Sequence, residues 1–231
     1  MDTTAARRPP YHQATGRLRE TPRANFMHAL LSRKFRPGHL VSQREIVEVT
    51  GASLPSVREA LKLLEAEGIV TLIPKRGVAI NEPGRKEIRD TFQLRSMIEL
   101  EAIRSYVTQV SSAEIAQLRA ETKDLISTHP STPEQELDIF QQRVELDQRL
   151  HREIVAAMKN DLIAAVHKKI ETTELLTRLT LPPRFHTEGP AFHEHLALID
   201  QIEKRDAEGA RKALKHHLEN ACERAIAAAA P

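Results

Sequence analysis

The 231-residue chain has no tryptophan and aromatic residues make up only 3% of it, so stacked rings cannot dominate its interior. Leu, Ala and Ile carry the apolar content instead, as expected where a core is made by packing helices on helices. One cysteine, Cys222, excludes an internal disulfide framework. An N-terminal apolar segment of the secretory kind is missing, as is any run of about 18 apolar residues, which excludes the usual signatures of a signal peptide and a transmembrane helix. The expectation is a soluble, cytoplasmic, mostly α protein of one or two domains.

The charge that is present is unevenly placed. Residues 1–80 hold 13 Lys and Arg against 7 Asp and Glu, whereas residues 81–231 hold 21 against 25. A basic head on an acidic body points to a polyanionic partner for the head alone.

Residues 1–21 are rich in Arg, Thr, Pro and Ala without periodicity and read as a flexible arm. Phe26, Ala29, Leu30 and Arg33 support a short helix over 24–35, stopped by Arg36-Pro37-Gly38. Ser42 and Glu45 form a capping box, in which each side chain can satisfy the other's exposed backbone N–H, so a second helix starts there and ends at Thr50-Gly51. A third runs from Ser53 through VREALKLLEAEG, with Val57, Ala60, Leu61 and Leu64 inward and Ser56, Arg58, Glu59 and Lys62 outward. Gly68 caps it. IVTLIPKRGVAI then gives two β-rich runs around a turn with two cations at its tip. Helix, helix, turn, helix and hairpin make a winged helix-turn-helix, whose third helix suits the major groove of DNA while the wing holds phosphates.

Beyond a linker at Asn81-Glu82-Pro83-Gly84, start and stop signals place helices near 85–109, 112–127, 133–159, 161–180, 191–205 and 207–228, an antiparallel all-α bundle. Phe140, Val144, Asp147, His151, Ile154 and Met158 share one helix face, although an unpaired carboxylate in an apolar interior costs several kcal/mol. Helical phase sorts the later histidines. His195 lies with Leu198, Ile199 and Ile202, and His193 with Asp200 and Lys204; His217 lies with Ala210, Leu214 and Ala221, and His216 with Lys212 and Glu219. Asp147, His151, His195 and His217 can therefore converge from three helices. Three neutral imidazoles and a carboxylate suit a divalent transition metal, zinc foremost with nickel or manganese as alternatives, and leave coordination positions open. A hydrogen-bonded polar core is the competing reading.

The run FRPGHLVSQREIVEVTGASLPSVREALKLLEAEGIVTLIPKRGVAI resembles the N-terminal domain of GntR-family transcriptional regulators, with PGHL, VREALKLLEAEGIV and PKRG in the family's order. The resemblance implies that Arg44, Ser53, Ser56 and Arg58 face double-stranded DNA and that Lys75, Arg76 and Gly77 form the wing. Arg58 paired with Glu59 on a solvated face is the alternative. Ser53-Leu54-Pro55-Ser56 departs from the family's usual Ser-Arg-Thr-Pro, and Leu54 cannot make the bidentate contact that an arginine makes to guanine. A thymine methyl is a more fitting neighbour for it.

The body resembles the FCD ligand-binding domain of the FadR subfamily, through LRSMIELEA at 94–102, ELDQRLHREIVAAMKN at 145–160, EHLALIDQIEKRDAEGA at 194–210 and HHLENA at 216–221. That likeness implies a metal on Asp147, His151, His195 and His217 that grips a carboxylate effector. Arg95 matches the family's first-helix arginine, and either clamps the anion through its planar fork or pairs with Glu99. The organisation implied is an arm at 1–21, a DNA-binding domain at 22–81 and an effector-binding and dimerisation domain at 85–229. The function implied is a metabolite-responsive regulator, a repressor, on a near-palindromic operator as a homodimer, with no membrane partner. A helical metalloenzyme using the same four ligands is the rival. Against it, no histidine has Glu three positions before it as in the di-iron bundles, neither G-x-S-x-G nor HExxH occurs, and the basic head would be unexplained. A body that serves only dimerisation, around a satisfied polar core, is a third reading.

Overall fold

A computed structural model describes residues 21–180 and 190–229. The arm expected at 1–21, apart from Thr21, lies outside the described residues, as do residues 181–189 between the helices expected at 161–180 and 191–205. Among the described residues the head is built from three helices and one small sheet. Helix α1 (Pro22–Leu31) starts where the Thr21 hydroxyl accepts the Ala24 N–H at 3.2 Å. It stops at Leu31 rather than at 35. Arg33 enters left-handed backbone (φ 60°), so that the Phe35 N–H reaches Ala29 O at 3.1 Å and its ring lies 5.2 Å from that of Phe26.

Helix α2 (Gln43–Thr50) opens with the capping box: the Glu45 N–H donates to Ser42 Oγ at 3.1 Å, and the Ser42 N–H to the Glu45 carboxylate at 3.4 Å. Helix α3 (Leu54–Ala66) buries Val57, Ala60, Leu61 and Leu64, the stripe expected from its sequence. Strands β1 (Leu40–Val41), β2 (Val70–Ile73) and β3 (Gly77–Ile80) form an antiparallel sheet in the order β1-β3-β2, with Val41 opposite Val78 and Thr71 opposite Ala79. Two-residue β1 is too short to leave a period-2 signal. Its passage explains Gly77, where φ is 131° and a Cβ would sit 2.6 Å from the Val41 carbonyl oxygen.

The body comprises α4 (Arg85–Gln109), α5 (Ser112–Ser127), α6 (Pro133–Ala156), α7 (Asp161–Thr180), α8 (Pro190–Glu203) and α9 (Ala207–Ala228). Their starts follow the sequence signals. Ser111 and Glu114 form a second capping box, Thr132 Oγ1 accepts the Gln135 N–H at 3.3 Å, and Asn160 Oδ1 accepts those of Leu162 and Ile163 at 3.0 and 3.2 Å. Arg205 closes the far end of α4 by donating to Val107 O and Val110 O at 2.7 and 2.6 Å, which satisfies carbonyls that the helix itself leaves open.

Helix α4 packs against α6, α7 and α9, α5 against α6 and α8, and α8 against α9. The main bundle core joins Ile103, Leu150, Ile154, Leu198, Ile199, Leu214 and their neighbours. A second core belongs to the head but does not end there: Phe140 and Val144 of α6 and Leu176 and Leu179 of α7 join Phe26, Leu30, Val57 and Leu61 in one apolar cluster. Helix α6 thus serves both halves. It carries the head's apolar contacts at its middle and Asp147 and His151 immediately after them.

Candidate metal centre and nucleic-acid face

Asp147 and His151 lie one turn apart on α6, with His195 on α8 and His217 on α9. All four are buried, and one ligand atom from each lies within 4.8 Å of the others. His195 Nε2 stands 3.2 Å from His217 Nε2 and 3.5 Å from Asp147 Oδ1, and the His151 and His217 rings stack with centroids 5.2 Å apart. The helical phases inferred for the histidines hold, since His193 and His216 are exposed.

The decisive atom is His151 Nε2, which is buried without a hydrogen-bond partner. An orphaned buried polar atom costs about 1–3 kcal/mol, so something of positive character belongs in front of it. The protonation pattern agrees. Burial, then Arg95, lowers the His151 pKa to about 4 against the pull of Glu99. His195 is likewise held well below the usual histidine value, by burial first and then by His217. Asp147 remains ionised: burial favours its neutral acid, but Arg178, donating to Oδ2 at 2.6 Å, together with His151, His195 and Arg95 outweighs that. Neutral imidazoles with open lone pairs beside a carboxylate are the donor set of a divalent transition metal, so these residues fit such an ion.

A cavity of about 120 Å³ adjoins the centre, lined by Asp147 and His217 together with Arg95, Thr177, Arg178 and Arg224. Arg95 is 1% exposed; its Nε donates to Glu99 at 2.7 Å, Nη1 pairs with Glu174, and Nη2 has no partner. Of the two sequence readings of Arg95, the salt bridge to Glu99 is the one present, and Nη2 is left as a spare donor in a side chain that lines the cavity.

Sequence reasoning missed four polar groups around this centre. His167 and Glu174 on α7 are buried, Glu194 on α8 accepts from His217 Nδ1 at 2.8 Å, and Arg178 holds Asp147. The signal for two of them was available. His167, Ile170, Glu174 and Thr177 recur at steps of three and four and are all buried, the same pattern that singled out Asp147 and His151.

The head presents an exposed polar face. Ser53 caps α3, its Oγ 2.9 Å from Ser56 Oγ, and both residues are exposed along with Leu54. Arg58 does not pair with Glu59, which takes Lys62 Nζ at 2.8 Å; Arg58 Nε donates instead to Gln43 Oε1 at 3.1 Å, across from α3 to α2. Arg44 is largely solvated and lies 3.3 Å from Glu48. Lys75 and Arg76 project from the β2–β3 turn, where Lys75 adopts left-handed backbone (φ 62°). No helix among the described residues is long and apolar enough to cross a membrane.

A family model described as the FCD domain matches residues 90–220, and one for bacterial regulatory proteins of the gntR family matches residues 24–80. The chain is 20% identical over 190 residues to the uncharacterized HTH-type transcriptional regulator YdhC of Bacillus subtilis, covering 82% of each. It is 25% identical over 199 residues to the HTH-type transcriptional repressor NanR of Citrobacter rodentium, covering 78% of this chain and 74% of that one. The structure of E. coli McbR/YncC superposes with a TM-score of 0.66 at 17% identity, over 86% of this chain and 92% of the other, and so shares the fold.

Proposed function

The chain belongs to the GntR family of bacterial regulators and carries an FCD domain, and on that footing we propose a metabolite-responsive repressor that binds a near-palindromic operator as a homodimer. The matches indicate a DNA-binding transcriptional regulator, not an enzyme. Repression is the sense suggested by the relative NanR, and the cytoplasm is where such a protein meets its operator. In this reading Arg44, Ser53, Ser56 and Arg58 meet DNA, and Lys75 and Arg76 hold phosphates beside the turn that Gly77 completes. One small head reads few base pairs, which favours a pair of heads. Leu94 and Met97 on α4, with Leu162 and Val166 on the adjoining α7, leave apolar surface exposed that supports pairing.

The observation that carries the effector half is the convergence of Asp147, His151, His195 and His217 around an unpartnered imidazole nitrogen. These four would hold zinc, or nickel or manganese, and when bound the ion supplies a Lewis-acidic anchor for a carboxylate. Arg95 offers its spare Nη2 to the same small anion. Arg178 keeps Asp147 ionised and oriented. Because Phe140 and Val144 precede Asp147 on α6, and Leu176 and Leu179 flank Arg178 on α7, a change in the cavity reaches residues packed in the head's core. A coupling of about 1–3 kcal/mol is the usual size for such a device.

Metal analysis of the purified full chain tests the reading. Zinc should be retained by His193→Ala and lost by His195→Ala; equal retention by both variants would overturn it.

A further inference from the structure

Two carboxylates stand behind the candidate ligands, each on the ring nitrogen that points away from the cluster. Glu99 Oε2 lies 2.6 Å from His151 Nδ1, and Glu194 Oε2 lies 2.8 Å from His217 Nδ1. We propose that Glu99 and Glu194 are the positioning residues of the metal centre, each fixing the tautomer and ring orientation of one imidazole so that its Nε2 lone pair faces the ion. The proposal rests on the metal reading above.

An ionised carboxylate accepts hydrogen bonds and cannot donate them. A ring nitrogen held against one must therefore carry the ring's proton, and in a neutral imidazole this leaves the other nitrogen bare. Both carboxylates are themselves fixed. Glu99 is fully buried and accepts from Arg95 Nε at 2.7 Å and His167 Nε2 at 3.0 Å on its other oxygen. Glu194 receives both terminal nitrogens of Arg224, at 2.8 and 2.9 Å, and Asn220 Nδ2 at 2.8 Å. Neither can swing aside without breaking those bonds. The rings are borne by α6 and α9, whereas the carboxylates come from α4 and α8 and a further anchor from α7, so three helices besides the ones that bear the rings help to set them. Partners of this kind typically change metal affinity by about 10–100-fold when removed.

The test is Zn²⁺ affinity of the full-length chain, measured by competition with a chromophoric chelator. Glu99→Gln and Glu194→Gln should each weaken binding about 10–100-fold. The loss caused by Glu99→Gln should vanish in a His151→Ala background and persist in a His217→Ala background, with the reverse for Glu194→Gln. A purely architectural role would carry each loss into both backgrounds equally, and that result, or wild-type affinity in both single variants, would overturn the proposal. If Glu99→Gln fails to fold, Glu194→Gln, at a partly exposed site, decides the matter alone. A wild-type chain that takes up no Zn²⁺ would instead overturn the metal reading itself, which the first titration distinguishes.

Discussion

His151 commits one ring nitrogen to Glu99 and leaves the other buried without a partner, and this has a consequence for stability in the metal-free protein. The unfolded ring binds a proton near the ordinary histidine value of 6.5, whereas the folded ring, chiefly because of burial, does so only at about 4. Between those values the unfolded chain takes up the proton and the folded one does not, so stability falls as pH falls. For His151 this amounts to roughly 1 kcal/mol by about pH 5.5, and His195 acts in the same direction. His167 opposes them. Burial works against its proton, but Glu171 and Glu99 raise its pKa overall, so its contribution is complete below the ordinary histidine value and fades as pH rises through the raised one. In chelator-treated protein the urea midpoint should drop between pH 7.5 and 5.5, and His151→Gln should flatten that slope. A midpoint as steep in the variant as in the wild type would contradict this account.

Helix α6 is where the two halves of the chain meet. Phe140 is buried in the head's cluster, and truncating such a ring costs about 3–5 kcal/mol. Phe140→Ala should therefore lower the melting temperature and also reduce the response of operator affinity to added zinc, read by fluorescence anisotropy; an undiminished response would place the coupling elsewhere. How much of this was legible beforehand varied by element. The stripe through Phe140, Asp147, His151 and Ile154 stood out because a 3.6-residue period survives in the sequence whatever the helix packs against. His195 and His217 were placed by the same test. The matching stripe on α7 was open to the same test and went unread; what the sequence alone does not carry is the pairing of His167 and Glu174 with Glu99 and Arg95 of α4. Helix α1 was drawn too long since nothing local announces the left-handed turn at Arg33. Arg58 had its partner on another helix, Gln43, which no spacing rule connects to it.

At the scale of the whole molecule, the basic head should bind DNA with an affinity that falls steeply with salt, as phosphate contacts require. Arg58→Ala should weaken operator binding by about 1–3 kcal/mol and relax base preference without altering the fold; a uniform loss on all sequences would reduce Arg58 to a phosphate contact. The partition of the chain at the linker around Asn81–Gly84 suggests two separable modules, yet the cluster shared by Phe26, Leu30, Phe140, Val144, Leu176 and Leu179 ignores that partition. Severing the linker would leave oily surface bare on both fragments. Scanning calorimetry of the intact chain should then record a single cooperative endotherm rather than two resolved peaks. The DNA-binding head and the FCD body would melt together, and an isolated head would be a poor surrogate for the regulator.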